Sequence, residues 1–345
     1  MLYTMDSRFR EIAENTEIRE QMNVFFPQAF IDLVPEEMRD CTLYELEQKI
    51  RMPWGVPFLS DELMKAANAA VRSMEENLYI KEELWNGFGG RESAVLYIRK
   101  PEREGVLPAA VICPGGGYET HSVIGEGIQI MEDLSEKGYR TFMLLYRLGE
   151  NRFPEPQKDL DLAVRTIRSR SEEFRIDPDQ IITVGFSAGG HLVTTEAGLH
   201  EQLSQLVDED LRSEDPERAA QIRGVSGRPD GVCSGYGFIL FGDDDEGRKI
   251  AASHIGEGKE ILPCHSAQNT VKADYPPAYV WTVEDDDLVP PSHSLAFAKA
   301  LDDHHIPHVM KMFPQGGHGC GNGKGTSADG WIDEMVRFMQ ENGIG

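Results

Sequence analysis

Along the 345-residue chain the apolar positions change their period near residue 90. Before it, Phe9, Ile12 and Ala13, then Leu43, Leu46 and Ile50, then Leu63, Ala66, Ala67, Ala70, Val71 and Met74 recur at intervals of three and four, the spacing of one helix face. Asp61 behind Ser60, followed by Met64 and Lys65, reads as a helix start, and Pro27, Pro35, Pro53 and Pro57 punctuate the region. Residues 1–85 are therefore expected to form a helical N-terminal extension. It would serve as packing, as a contact in a homo-oligomer, or as a lid, since caps over rigid scaffolds often carry specificity.

Beyond that point short apolar runs alternate with amphipathic stretches. Ala94–Ile98, Ala109–Cys113, Thr141–Tyr146, Ile181–Phe186, Gly235–Phe241, Ala278–Val283 and Val309–Phe313 read as strands. Several are continuous apolar runs, as expected where both faces of a sheet are covered. Ile128, Met131 and Leu134, then Leu160, Ala163, Val164 and Ile167, then Leu295, Ala296, Ala298 and Leu301, then Trp331, Met335 and Phe338 mark helices between and after them. This alternation predicts an α/β domain over residues 86–345, a mostly parallel sheet with helices on both faces. Functional groups should gather at the carboxyl ends of its strands. The acidic stretch from Glu201 to Arg218 is expected to be an exposed helix or loop.

Charge narrows the range of partners. With 34 Lys and Arg against 59 Asp and Glu, the formal net charge is −25, and no basic stripe exists to neutralise the phosphates of a nucleic acid. No apolar run approaches membrane-spanning length, and no apolar segment precedes the first charges at the N-terminus. The five cysteines are scattered without ligand spacing, so neither a disulfide framework nor a metal site is expected, and Cys113 and Cys233 read as small core residues. A cytoplasmic protein without a cofactor and without a membrane partner is the expectation.

The chemistry centres on Gly185-Phe186-Ser187-Ala188-Gly189, directly after the apolar run from Ile181. A strand running into Gly-x-Ser-x-Gly predicts a serine on a sharp strand-to-helix turn with its hydroxyl exposed. Alone the pentapeptide is weak, since chance supplies it in about one chain in six of this composition. A serine needs a base. His318, between Gly316-Gly317 and Gly319 after the last strand, is placed for it, whereas His191 would lie on the helix that the turn launches and reads as packing. His121 is expected, with Tyr118, to line the substrate pocket, and His293, His304, His305 and His308 read as surface or structural. The base needs an acid to fix its tautomer. Glu284-Asp285-Asp286-Asp287 follows another strand end; Asp286 is the chosen acid and Asp285 the next choice. Pro114-Gly115-Gly116-Gly117-Tyr118 follows a third, and its glycines let backbone N–H groups approach a developing oxyanion, with the Ala188 amide as a further donor. Gly116, Gly117 and Ala188 are thus the expected oxyanion hole. No Lys-Ser/Thr follows the glycines, which argues against phosphate binding.

These pieces carry a resemblance. Pro114–Tyr118, Leu145-Tyr146-Arg147-Leu148, Gly185–His191 with Leu192, Arg228-Pro229-Asp230, Pro276-Pro277, Asp285–Pro290 with Ser294-Leu295, and Gly316–Gly319 together resemble the acetyl-esterase and acetylxylan-esterase-like branch of the α/β-hydrolase superfamily over residues 90–340. The resemblance implies the α/β-hydrolase fold and a Ser187–Asp286–His318 triad that cleaves small acyl esters, an acetylated sugar among them, through an acyl-enzyme. Two departures are visible. The strand before the acid ends Trp281-Thr282-Val283-Glu284 where many relatives carry a histidine, and the first 85 residues have no counterpart in a minimal member. Amide, formamide or peptide hydrolysis on the same triad, and ligand binding without turnover, are the alternative readings.

Overall fold

The computed structural model describes residues 3–15, 34–50, 78–241 and 254–345, together with Asn68, Arg72 and Glu76. Its strands are β1 (Tyr79–Glu83), β2 (Val95–Arg99), β3 (Leu107–Cys113), β4 (Arg140–Leu145), β5 (Ile176–Phe186), β6 (Gly231–Gly235), β7 (Ala278–Val283) and β8 (His308–Phe313). They form one sheet in the order β1-β2-β4-β3-β5-β6-β7-β8. The pairs β1–β2 and β2–β4 are antiparallel and every later pair is parallel. Parallel pairing demands crossovers, and the helices supply them: α3 (Gln129–Glu136), α4 (Glu155–Ser169), α5 (Ala188–Glu214) and α6 (Ser292–Asp303), with α7 (Trp331–Glu341) closing the chain. The N-terminal helices α1 (Phe9–Ala13) and α2 (Leu43–Lys49) precede them.

Alternation along the strands splits the core into two layers. On β3, Ala110 and Ile112 face a cluster that holds Met131 and Leu134 of α3 and Trp331 and Met335 of α7. Ala109, Val111 and Cys113 face the other, built on Leu160 and Val164 of α4, Leu192 and Val193 of α5, and Phe297 of α6. Both faces are covered, which is why the central strand β3 is apolar throughout. Phe9, Ile12, Leu43 and Leu46 are fully buried in the α3/α7 layer, while Leu84 and Trp85, directly after β1, are buried in the other, so the described part of the N-terminal extension contributes a strand to the sheet and packs into the core on both faces. The expected helical positions from Leu63 to Met74, and Pro27, Pro53 and Pro57, lie outside the described residues.

Two strand assignments change. The run Gly235–Phe241 is not a strand beyond Gly235: β6 is the less apolar Gly231–Gly235, and Tyr236–Phe241 is a buried loop. Its backbone is satisfied by side chains, the Ile239 and Leu240 N–H groups donating to His293 Nδ1 at 3.0 Å and Phe241 N–H to Ser266 Oγ at 3.0 Å. Edge strand β1, Tyr-Ile-Lys-Glu-Glu, is too polar to be read as a strand. Most of the acidic stretch, Glu201 to Glu214, is the second half of the 27-residue α5, whose Leu203, Val207 and Leu211 are buried at four-residue spacing. Among the described residues no helix is long and apolar enough to cross a membrane.

Strand register sets up the site. Cys113 pairs with Gly185, and Phe186 with Gly235, so β3, β5 and β6 end level with one another. β7 and β8 end together at Val283 and Phe313. The loops that leave these five ends converge on one rim.

Candidate active site

Ser187 is the hinge between β5 and α5, at φ 52° and ψ −119°, a region that non-glycine residues rarely enter. Its neighbours make the turn sterically feasible. A Cβ on Gly185 would stand 2.1 Å from the Gly189 carbonyl oxygen, and one on Gly189 would stand 2.0 Å from the Cys113 carbonyl oxygen. The backbone is pinned by Ser187 N–H donating to Gly235 O at 3.1 Å and by Phe238 N–H donating to Ser187 O at 3.1 Å. Ser187 is half-buried between buried neighbours, so its side chain is reachable from solvent.

His318 Nε2 stands 2.9 Å from Ser187 Oγ, and His318 Nδ1 stands 2.9 Å from Asp286 Oδ2. Asp286 can only accept, so Nδ1 carries the proton and Nε2 is the free lone pair facing the serine hydroxyl. The carboxylate is itself fixed: Asp286 Oδ1 accepts from Val289 N–H at 2.7 Å and Leu288 N–H at 3.0 Å. Asp285 points elsewhere. Its Oδ1 accepts from Gly316 and Gly317 N–H at 2.9 Å each, which holds the loop that presents His318. The acidic run therefore divides its labour, one carboxylate on the imidazole and one on the backbone beside it.

The loop after β3 faces the serine. Gly116 and Gly117 have φ of 129° and 65°, open to glycine and costly for other residues. The N–H groups of Gly116, Gly117 and Ala188 donate to no acceptor among the described residues. Ala188 is the first residue of α5, whose N-terminal end favours negative charge at this point. Tyr146 braces the loop from below, donating its hydroxyl to Pro114 O at 2.7 Å.

Tyr118 and His121, the residues expected at the pocket wall, each pack against aromatic neighbours. Tyr118 is buried, its hydroxyl 2.8 Å from His191 Nδ1, and its ring stacks near His254 with centroids 4.6 Å apart. The His121 ring packs edge-on against Tyr146, and burial lowers its pKa to about 3, so it stays neutral. Tyr118 has φ 62°, an uncommon backbone conformation for a non-glycine residue. His191 is in the packing position expected, fully buried on α5 with Nε2 at 2.6 Å from the His265 carbonyl. His293 is structural, as its two backbone contacts require.

Two residues escaped the sequence reading. Glu126 is buried beside the glycine loop and accepts from Gly115 N–H at 2.8 Å, and Tyr236, after β6, donates its hydroxyl to Glu126 at 2.8 Å. The available signal was slight, a lone acid between Gly125 and Gly127 in an otherwise apolar stretch.

Comparison with known proteins agrees with this architecture. Residues 96–301 match the family described as BD-FAE. The chain is 30% identical over 264 residues to endo-1,4-beta-xylanase B of Butyrivibrio fibrisolvens, covering 74% of this chain and 38% of that protein. It is 28% identical over 237 residues to an acetylxylan esterase of Xylanibacter ruminicola, covering 68% and 44%. The chain thus spans less than half the length of these curated relatives. Among solved structures, an acetyl ester-xyloside bifunctional hydrolase from Caldicellulosiruptor lactoaceticus superposes with a TM-score of 0.64 at 29% identity, covering 73% of this chain and 89% of that one. The fold is that of the α/β-hydrolases.

Proposed function

This chain belongs to the BD-FAE family, in the esterase branch of the α/β-hydrolases, and from that premise we propose that it is a serine carboxylic ester hydrolase. It removes small acyl groups, of the acetyl type, from an alcohol such as a sugar hydroxyl. The observation that carries this reading is the unbroken chain Ser187 Oγ–His318–Asp286, with both links at 2.9 Å.

The steps follow from the geometry. His318 Nε2 accepts the Ser187 proton as Oγ attacks the ester carbonyl, and Asp286 stabilises the imidazolium that results. Negative charge moves to the carbonyl oxygen, where the Gly116, Gly117 and Ala188 amides receive it; comparable donors are worth about 3 kcal/mol each. His318 then protonates the leaving alcohol. The acyl-enzyme is cleared when His318 draws a proton from water, which attacks the same carbonyl. No step calls on a metal or a cofactor.

Replacing Ser187 with Ala is expected to reduce turnover of p-nitrophenyl acetate to the uncatalysed level while the thermal transition stays in place. Retained activity in Ser187→Ala would refute the assignment. Running acetyl esters beside formyl amides and dipeptide anilides tests the bond that is cleaved, with ester turnover expected to dominate.

A further inference from the structure

Glu126 lies on a π-helical turn, Ile124–Ile128, a wide helical geometry frequent at functional sites. It is 2% exposed. A Cβ on Gly115 would meet both Glu126 Oε2 and Ser187 Cβ at 2.8 Å, so one missing side chain separates this carboxylate from the serine. Its contacts are donors. Gly115 N–H reaches Oε2 at 2.8 Å, and the Tyr236 hydroxyl reaches Oε1 at 2.8 Å. Tyr236 Oη accepts from Gly321 N–H at 3.0 Å, so its own proton is directed to Glu126. Burial raises the pKa of this carboxyl above its usual value, while nearby His318 and the hydrogen bonds from Tyr236, Gly115 and Ser122 pull it back toward the carboxylate.

The same tyrosine touches the base. The Tyr236 ring packs edge-on against His318 with centroids 5.0 Å apart, so the side chain that donates to Glu126 also contacts the base. Tyr236 holds φ 35°, an unusual backbone for its type, and keeps it through its N–H bond to Trp281 O at 2.7 Å. Glu126 thus joins the glycine loop at Gly115 to the His318 loop at Gly321. The other titratable groups around His318 are Asp286 on its ring, Asp285 on its loop amides, and Cys320 within the loop.

We propose that Glu126 is a positioning residue for ester cleavage, a second buried carboxylate that fixes the oxyanion loop and stabilises the charged His318. The proposal rests on the serine-esterase reading above and extends it beyond the triad.

Glu126→Gln tests it, since the amide keeps the shape and loses the charge. The kcat for p-nitrophenyl acetate is expected to fall about 10- to 100-fold with KM within about twofold, and the acid limb of kcat/KM to move to lower pH. Glu126→Asp retains charge and withdraws from Gly115, so kcat falls while the limb stays. A wild-type kcat in Glu126→Gln, or a lowered kcat with an unmoved limb, overturns the proposal. Should Glu126→Gln fail to fold, Tyr236→Phe takes its place: it breaks the link between the loops, and an unchanged kcat there overturns the proposal equally. NMR titration of the His318 ring in wild type and Glu126→Gln separates this from the parent reading. A lower midpoint in the variant supports the proposal even if the substrate class is wrong, whereas Ser187→Ala judges the esterase reading alone.

Discussion

Replacing Asp286 with Asn changes one atom and reverses the logic of the site. Asp286 Oδ1 holds the Leu288 and Val289 amides, so the Asn side chain keeps its oxygen there and turns its NH2 toward His318. Flipping the amide would forfeit both backbone bonds, about 1 kcal/mol each, and set NH2 against two N–H donors. The NH2 donates to His318 Nδ1, which drives the ring proton onto Nε2, where it faces Ser187 Oγ and cannot accept from it. The imidazolium also loses its counter-charge, worth about 4 kcal/mol for unit charges 4 Å apart at an effective permittivity near 20. Together with the tautomer cost, the loss is about 5 kcal/mol, or roughly 10⁴-fold in kcat. The assay is steady-state turnover of p-nitrophenyl acetate beside a thermal melt, which should be unchanged because the replacement is isosteric. Asp285→Asn is the control. It weakens the hold on Gly316 and Gly317 without touching the tautomer, and should cost less than about tenfold. Asp286→Asn retaining more than about a tenth of wild-type kcat/KM, or Asp285→Asn losing as much as Asp286→Asn, would refute this reasoning.

Two stability predictions follow from the same packing. Gly189→Ala drives a methyl to 2.0 Å from the Cys113 carbonyl oxygen and should cost about 3 kcal/mol or more, whereas Gly125→Ala, with nothing within 4 Å, should leave the melt nearly unchanged; equal melts for the two would contradict the steric account. Glu196 is fully buried on α5 with neither carboxyl oxygen hydrogen-bonded among the described residues, and burial, reinforced by Asp161, pushes its pKa well above the usual value of 4.5. A raised carboxyl pKa means that stability is intact below pH 4.5 and declines as pH climbs toward the folded value, by at most about 1.4 kcal/mol per unit. Glu196→Gln should therefore melt higher than wild type at pH 8, with the gap closing toward pH 4.5; a gap independent of pH would count against it.

The order of elements and the Ser, Asp, His sequence of strand ends were legible because they depend on local patterns: continuous apolar runs, glycines at sharp turns, and acids after a strand. The failures have a common cause. Phe238-Ile239-Leu240-Phe241 reads as a strand because it is apolar, but His293 and Ser266, distant in sequence, satisfy the Ile239, Leu240 and Phe241 amides and let it remain a loop. β6 itself carries two glycines and a serine, and is a strand because β5 and β7 flank it. Glu126 and Tyr236 meet across 110 residues of chain, a pairing that no local pattern encodes.

Ser187 and His318 lie 131 residues apart, and His318 sits on the loop that leaves the end of β8. A ribosome that has released β5 and α5 therefore exposes a serine with no base, chemically no different from any other hydroxyl. On the proposed mechanism, hydrolysis requires the loop that leaves β8 to lie across the rim. Regain of activity during refolding is thus a clock for the closing of the sheet's far edge, and it should lag behind any signal that reports the β3–β5 centre.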